Sequence, residues 1–236
     1  MKEVRFFYTP EPQSLQLPAD EAQHVLRVLR LGMGDELNLM DGRGMFHQAV
    51  ITEAGGHHCR YRIVESLPQQ PEWEGTIHLA MAPTKNMDRV EWLVEKATEI
   101  GIDRLSLLDC RFSERRVVKT DRLEKIIVSA MKQSHKAWKP QVDEMLAFQK
   151  FIGRSDLPAQ RFIAHCYPME DKPFLLDVLQ PRTPALVLIG PEGDFSIEEV
   201  HAAEAAGFRS VSLGTSRLRT ETAALTAVHM MRLANR

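Results

Sequence analysis

Five consecutive apolar residues ending on a glycine, "ALVLIG" at 185–190, constrain this chain more than any other stretch. A strand with one face in water alternates apolar and polar side chains, whereas one that is apolar throughout has both faces covered. The flanking patterns say what covers it. "TIHLAMAP" (76–83), "RLSLLDC" (104–110), "RFIAHC" (161–166) and "RSVSLG" (209–214) read as further strands. Between them, "MDRVEWLVEKATEIG" (87–101) is apolar at 90, 93, 94, 97 and 100, and "TDRLEKIIVSAMKQS" (120–134) at 123, 126, 127, 130 and 131. That spacing is one stripe of a helix. Ser196 with Glu199 three residues on is a capping box, opening a helix that runs to Gly207. "TETAALTAVHMMRLANR" closes the chain as another helix, with Thr220 or Thr222 as its candidate cap. Strands alternating with helices predict an α/β fold, a mostly parallel sheet covered on both sides.

The first 70 residues have a different rhythm. "EVRFFYT", "DELNLMD", "MFHQAVITE" and "RYRIVES" have strand composition, and "DGRG" (41–44) reads as a hairpin turn. "DEAQHVLRVLRLG" (20–32) reads as a short amphipathic helix closed by Gly32. The pattern predicts a small, mostly antiparallel β-barrel over 1–70. "SLPQQPEWEG" (66–75) is the expected linker, and a second domain spans 75–236.

Several function classes drop out. No apolar run reaches membrane-span length, and "MKEVRFFYTP" lacks the features of a secretory signal. Cys59, Cys110 and Cys166 are scattered and odd in number, which predicts a reducing, cytoplasmic setting. There is no C-x-x-C and no H-E-x-x-H, so no metal is expected; the adjacent His57 and His58 read as an exposed turn. The dinucleotide and P-loop glycine fingerprints and the G-x-S-x-G elbow are missing too. His24 and His229 fall among apolar helical residues and read as packed; His135 and His165 are candidate bases. Net charge is −2, yet residues 111–139 hold nine Lys/Arg against three acids. Such a tract is either a solvated helix face or a phosphate-binding surface.

In open α/β sheets ligands collect at the carboxyl ends of strands. Three such ends stand out: "AHCYP" (164–168), "IGPEGDFS" (189–196) and "LGTSRLRTETA" (213–223). Alone, "GPEG" is a turn before a capped helix. Two glycine-hinged ends, each with a Glu, point further, to backbone N–H groups offered to a ligand.

"LIGPEGDFSIEE" followed by "LGTSRLRTETAAL" resembles the paired C-terminal motifs of the SPOUT methyltransferases, and more narrowly the small-subunit ribosomal RNA uridine-N3 methyltransferases (RsmE type). "KNMDRVEWLVEKATEIGI", "SAMKQSHKAWKP" and "HVLRVLRLGMGDELNLMDGRG" extend the resemblance over essentially the whole chain. It implies a PUA-like RNA-binding β-barrel followed by a SPOUT-type α/β domain with a deep trefoil knot. The general rule against threaded connections would argue the other way. It also implies S-adenosylmethionine as cofactor, a homodimer, and ribosomal RNA or the small subunit as partner. By matching motifs, Ile189, Gly190, Glu192 and Gly193 line the cofactor site. So do Leu213, Gly214, Leu218, Arg219, Thr220, Glu221, Thr222 and Ala223, with Ala164 and His165 from the first strand end. Asp194 stands in place of a second Gly; Ser216 and Arg217 replace an Arg-Ile pair; Lys132, His135 and Lys136 replace Glu, Gly and Arg.

On that resemblance Arg219 is expected to stabilise a developing uracil anion and Glu221 to orient the base or share in removing its proton. RNA backbone contacts are expected from Arg27, Arg30 and Arg43 on the barrel, from Lys85 and Arg89, and from Arg111, Arg115, Arg116, Lys132 and Lys136 in the basic tract. Rival readings are a SPOUT enzyme acting on a ribose 2′-hydroxyl, a non-catalytic RNA-binding assembly factor, and an ordinary doubly wound nucleotide-binding enzyme.

Overall fold

The computed structural model describes residues 5–56 and 58–235. His57 lies outside them, as do the ends of "EVRFFYT" and of the C-terminal helix pattern. The chain divides into two compact units. The first is Met1–Glu72 with Val128–Lys139, and the second is Trp73–Ile127 with Pro140–Arg236.

The first unit is a four-stranded sheet in the order β1 (Phe6–Tyr8), β2 (Glu36–Met40), β3 (Met45–Gly55), β4 (His58–Pro68). β2–β3 and β3–β4 are antiparallel, whereas β1 runs parallel to β2, with Phe6 opposite Asn38 and Tyr8 opposite Met40. Leu37 and Leu39 of β2, Ala49 and Ile51 of β3, and Cys59 and Tyr61 of β4 face one core, with Phe7, Leu17, Ala22 and Val25. The helix expected over 20–32 is shorter and irregular. α1 (Ala19–Gln23) passes into a π-turn over His24–Val28, and the left-handed residue that ends it is Arg30, at φ 57°. Gly32 instead donates its N–H to the Asp35 carboxylate at 2.7 Å. His24 is exposed rather than packed, because with Ala22 and Val25 turned into the core it falls on the opposite side of the helix.

The "DGRG" turn is built by Asp41, whose Oδ1 accepts the N–H groups of Arg43 (2.7 Å) and Met45 (3.0 Å). Residues 137–139 pair with it: Gly44 N–H reaches Ala137 O at 3.0 Å, and Lys139 N–H reaches Gly42 O at 2.9 Å. A Cβ on Gly44 would collide with the Trp138 ring, so no side chain fits there. Lys132 donates to Oε1 of the buried Glu21 at 2.6 Å.

The second unit is a seven-stranded parallel sheet. Its strands are β5 (Ile77–Met81), β6 (Arg104–Asp109), β7 (Gln141–Val142), β8 (Leu146–Ala147), β9 (Gln160–Ala164), β10 (Ala185–Ile189) and β11 (Arg209–Val211). The order is β11-β9-β10-β5-β6-β7, with β8 also on β6. β10 lies between β9 and β5, in register from Ala185 (opposite Gln160 and Ile77) to Ile189 (opposite Ala164 and Met81). All of β10 and β5 is buried. Alternation sorts their side chains onto two faces. Ala80, Ala82, Leu186 and Leu188 meet α4 (Phe148–Ile152) and α6 (Ile197–Ala205) through Phe148, Phe151, Val200 and Ala203. On the other face Leu79 and Leu105 meet Leu93, Val94 and Ala97 of α2 (Met87–Ile100), with Ile127 of α3 (Thr120–Ser134). α7 (Thr220–Ala234) packs on α2, β5 and β10, burying Ala224, Ala227, Val228 and Met231. Its cap is the backbone of Arg219, with no side-chain bond, so neither Thr220 nor Thr222 plays that part. His229 is on its exposed side. α6 has the expected capping box at Ser196 and Glu199. Short α5 (Leu175–Val178) connects β9 to β10.

A polar chain runs from buried His78 and Ser106 on β5 and β6 to part-buried Asp143 and Arg104. His78 Nε2 is 2.8 Å from Ser106 Oγ, which donates to Asp143, and Asp143 takes a two-pronged bond from Arg104 at 2.8 and 3.0 Å. Ser106 has one proton and gives it to the carboxylate, so His78 is the donor and is neutral. Burial, then the Arg104 charge, lowers its pKa from the ordinary 6.5 to about 4. The unfolded chain binds this proton below pH 6.5 and the folded one does not. The contribution is therefore full above 6.5 and lost as pH falls towards 4, about 3 kcal/mol in all. Urea unfolding at pH 7 and pH 4.5 is expected to show wild type losing about 2 kcal/mol more than His78→Gln between the two. Equal losses would show that His78 is not the group responsible.

Candidate functional site

Because the strands are parallel, the ends of β5, β9, β10 and β11 open on one edge of the sheet. After β10 the chain doubles back at once. A Cβ on Gly190 would come 2.9 Å from the Phe195 nitrogen, so only glycine permits this approach. Asp194 closes the bend, its N–H on Pro191 O at 2.9 Å, and sits at φ 66°. This is the position where the resemblance leads one to expect a glycine, and Asp is among the residues that tolerate the left-handed region. Its carboxylate accepts the N–H of Phe195 (2.8 Å) and that of Cys166 (2.7 Å) in the loop after β9. Lys172 donates to the carbonyls of His165 (2.7 Å) and Tyr167 (2.8 Å), and the Tyr167 hydroxyl to Phe195 O (2.9 Å). After β11, Ser212 is held by Pro173 and Leu175 backbone groups, and Gly214 comes next but one at φ 129°.

Two further carboxylates tie neighbouring loops to the bend after β10. Glu192 Oε1 accepts Lys85 N–H at 2.8 Å from the loop after β5. The buried Glu199 accepts Arg111 N–H at 2.8 Å from the loop after β6 and Ser196 N–H at 2.8 Å. Thus Ala164, His165, Ile189, Gly190, Glu192 and Gly193 come together with Leu213 and Gly214 across adjacent strand ends. Leu218 and Arg219 then lead into the first turn of α7, which holds Thr220, Glu221, Thr222 and Ala223.

That turn borders an open cavity of about 400 Å³, lined by Asp88, Arg89, Trp92, Arg219, Glu221 and Thr222. Glu221 is 8% exposed. Its Oε1 is 3.3 Å from Arg89, and its Oε2 is buried without a hydrogen-bond partner. A buried carboxylate oxygen left without a donor is costly, and a donor on a ligand reaches Oε2 once the Glu221 side chain turns towards the cavity. Arg219 is exposed at the same cavity.

His165 is buried among these loops. Ser210 Oγ donates to Glu204 at 2.7 Å and so receives Nε2–H of His165 at 3.0 Å. This leaves Nδ1 as an acceptor, buried and unpartnered. Burial, then the Lys172 charge, holds the His165 pKa below the ordinary value, so the ring is neutral at pH 7. His135 belongs to the first unit, exposed at φ 57° with its ring 5.1 Å from that of Phe6.

Most expected phosphate ligands already have protein partners. Lys132 is on Glu21 and Lys136 on Glu72, both at 2.6 Å; Arg43 is on Glu11 and Lys85 on Glu114, both at 2.8 Å. Arg116 reaches Asp109 at 2.5 Å and Arg111 reaches Glu198 at 3.7 Å, while Arg115 binds the carbonyls of Thr84 and Lys85. Arg27 and Arg30 are exposed on the first unit. Among the described residues no group of His, Cys, Asp and Glu could hold a metal, and no helix is long and apolar enough to cross a membrane. Sequence reading missed Asp88, Trp92 and Lys172. Trp92 was legible only as an aromatic off the apolar stripe of its helix.

Comparison with known proteins places the chain in a family. Residues 71–232 match the family model described as an RNA methyltransferase domain, and residues 17–64 match the RNA methyltransferase PUA domain. A curated relative, ribosomal RNA small subunit methyltransferase E of Rickettsia conorii, is 29% identical, covering 94% of this chain and 91% of its own. A solved structure of a probable rRNA-methyltransferase from Porphyromonas gingivalis superposes with a TM-score of 0.93 at 43% identity over 98% of both chains. The ribosomal RNA small subunit methyltransferase E of Neisseria gonorrhoeae, solved bound to S-adenosyl methionine, superposes with a TM-score of 0.83 at 28% identity, again over 98% of both. With more than half its length in that domain, and strand-end loops drawn together where the motifs lie, this chain belongs to the RNA methyltransferase family, with a PUA-like unit before an α/β unit.

Proposed function

We propose that this protein methylates N3 of a uridine in small-subunit ribosomal RNA, with S-adenosylmethionine as donor. The observation that carries the reading is Glu221, a buried carboxylate with one oxygen unpartnered, on the wall of the cavity that Arg219 also lines. The relatives' names supply the substrate class, and the Neisseria complex supplies the donor. The residues present fit that donor: Gly190 and Gly214 keep the strand ends free of side chains.

When bound, the donor supplies an electrophilic sulfonium methyl. The chain's task is to make a nucleophile of uracil N3, whose lone pair becomes available only as its proton leaves. Glu221 orients the base through N3–H and draws on that proton, while Arg219 stabilises the charge growing on the uracil carbonyls. A new N–CH₃ bond forms as the S–CH₃ bond breaks. Placement and preordered charge are the means available for such a displacement. The target base is splayed from its stack to enter the cavity. Residues 1–70 serve as the RNA-binding PUA-like barrel and residues 75–236 as the catalytic domain. The protein is read as a cytoplasmic homodimer, on the resemblance and on its three free thiols. A deep trefoil knot belongs to the same reading. It is supported by the return of α7 from edge strand β11 to the sheet centre at β5 and β10.

Arg219→Ala is expected to slow methyl transfer by about 10²–10³-fold with donor affinity little changed. A near wild-type rate removes its catalytic role, and a collapse of donor affinity makes it a cofactor ligand. Digestion of methylated RNA to nucleosides is expected to place the label on the uracil base, whereas label on ribose would establish the 2′-hydroxyl reading. Because acids already hold most of the expected cations, phosphate contacts are few. A filter-binding titration should give a log–log salt slope of about −2 to −4, and a flat response would remove the backbone contacts altogether.

A further inference from the structure

We infer that Asp194 and Lys172 form a charge clamp on residues 165–167 that pre-shapes the bends after β9 and β10 for the sulfonium donor, an inference that rests on reading those bends as the cofactor site. A bend at φ 66° is most easily made by glycine, and the chain carries an aspartate there instead. In exchange it has a carboxylate with one oxygen on Phe195 N–H at 2.8 Å and the other on Cys166 N–H at 2.7 Å. Lys172 grips the opposite side of the same turn, its ammonium on the carbonyls of His165 at 2.7 Å and Tyr167 at 2.8 Å. Three consecutive residues are therefore held through one N–H and two C=O groups, all by ionised partners, which make the stronger class of hydrogen bond. The Tyr167 hydroxyl adds a third tie, to Phe195 O at 2.9 Å. Loops already in their bound shape do not pay an ordering cost when the ligand arrives.

The turn also carries its own reporter. Cys166 is the exposed thiol, while Cys59 and Cys110 are buried. The test is calorimetric titration of S-adenosylmethionine into wild type, Asp194→Gly and Lys172→Met, with the iodoacetamide alkylation rate of Cys166 measured on each protein without ligand. Asp194→Gly keeps the backbone conformation and removes only the carboxylate. It is expected to raise the dissociation constant about tenfold at unchanged stoichiometry, and Lys172→Met to do the same. Asp194 raises the Cys166 thiol pKa and Lys172 lowers it, so faster alkylation in Lys172→Met, against that electrostatic effect, is the sign of a loosened turn. Asp194→Asn, with one carbonyl oxygen left to accept, is expected to fall between. Wild-type affinity in Asp194→Gly overturns the clamp. So does lowered stoichiometry at unchanged affinity, which reports a damaged fold rather than a loosened turn. A wild-type protein that takes up no donor overturns the cofactor reading itself, so the two failures are distinct.

Discussion

Because β10 is covered on both faces, each backbone polar group of residues 185–189 has to be satisfied inside the sheet, on β5 and β9. That requirement places β10 between two parallel partners and leaves polar chemistry only at the strand ends. At the carboxyl edge the chain must turn without exposing the core, and Gly190 allows it to do so within a single residue. The bend at Asp194 and the capped helix α6 beyond it are both built outward from that buried strand.

The loops around the site are joined by bonds from side chain to backbone, beside exposed ion pairs such as Lys85–Glu114 and Arg111–Glu198. Glu192 holds the loop after β5, Glu199 the loop after β6, and Asp194 the loop after β9, each through an N–H group. A bond to the main chain fixes the path of the loop, whereas a bond between two long side chains leaves both backbones free. This is a means of holding a site formed from four strand ends without filling it. Glu221 differs from the other three in keeping one oxygen both buried and unmatched, and it is the one that lines the cavity.

Legibility in the sequence varied with element length. α2 and α3 were readable because fourteen and fifteen residues display several turns of the 3.6 period. β5, β6, β9, β10 and β11 were readable from composition and from the glycines and prolines beside them. Residues 140–160 were not readable, because strands of two residues and a helix of five contain too few positions to show any period. His24 and His229 looked packed from their apolar neighbours, yet a helix turns each residue about 100° from the next, and both face outward. The parallel pairing of β1 with β2 left no mark either, since strand composition does not encode direction.

The candidate site was legible as motifs, because its residues are grouped in short runs at strand ends. The basic tract was legible only as a count of charges. Lys132 is matched by Glu21, 111 positions away, and Lys136 by Glu72, both inside the first unit, while Arg111, Arg116 and Arg122 are matched by Glu198, Asp109 and Glu91 inside the second. By itself the sequence determined the kind of fold and the family, because periodicity and motif are properties of neighbouring residues. The tertiary structure alone decided which carboxylate is buried, which is left with an open oxygen, and which cations remain exposed, because those depend on distances through space between residues far apart in the chain.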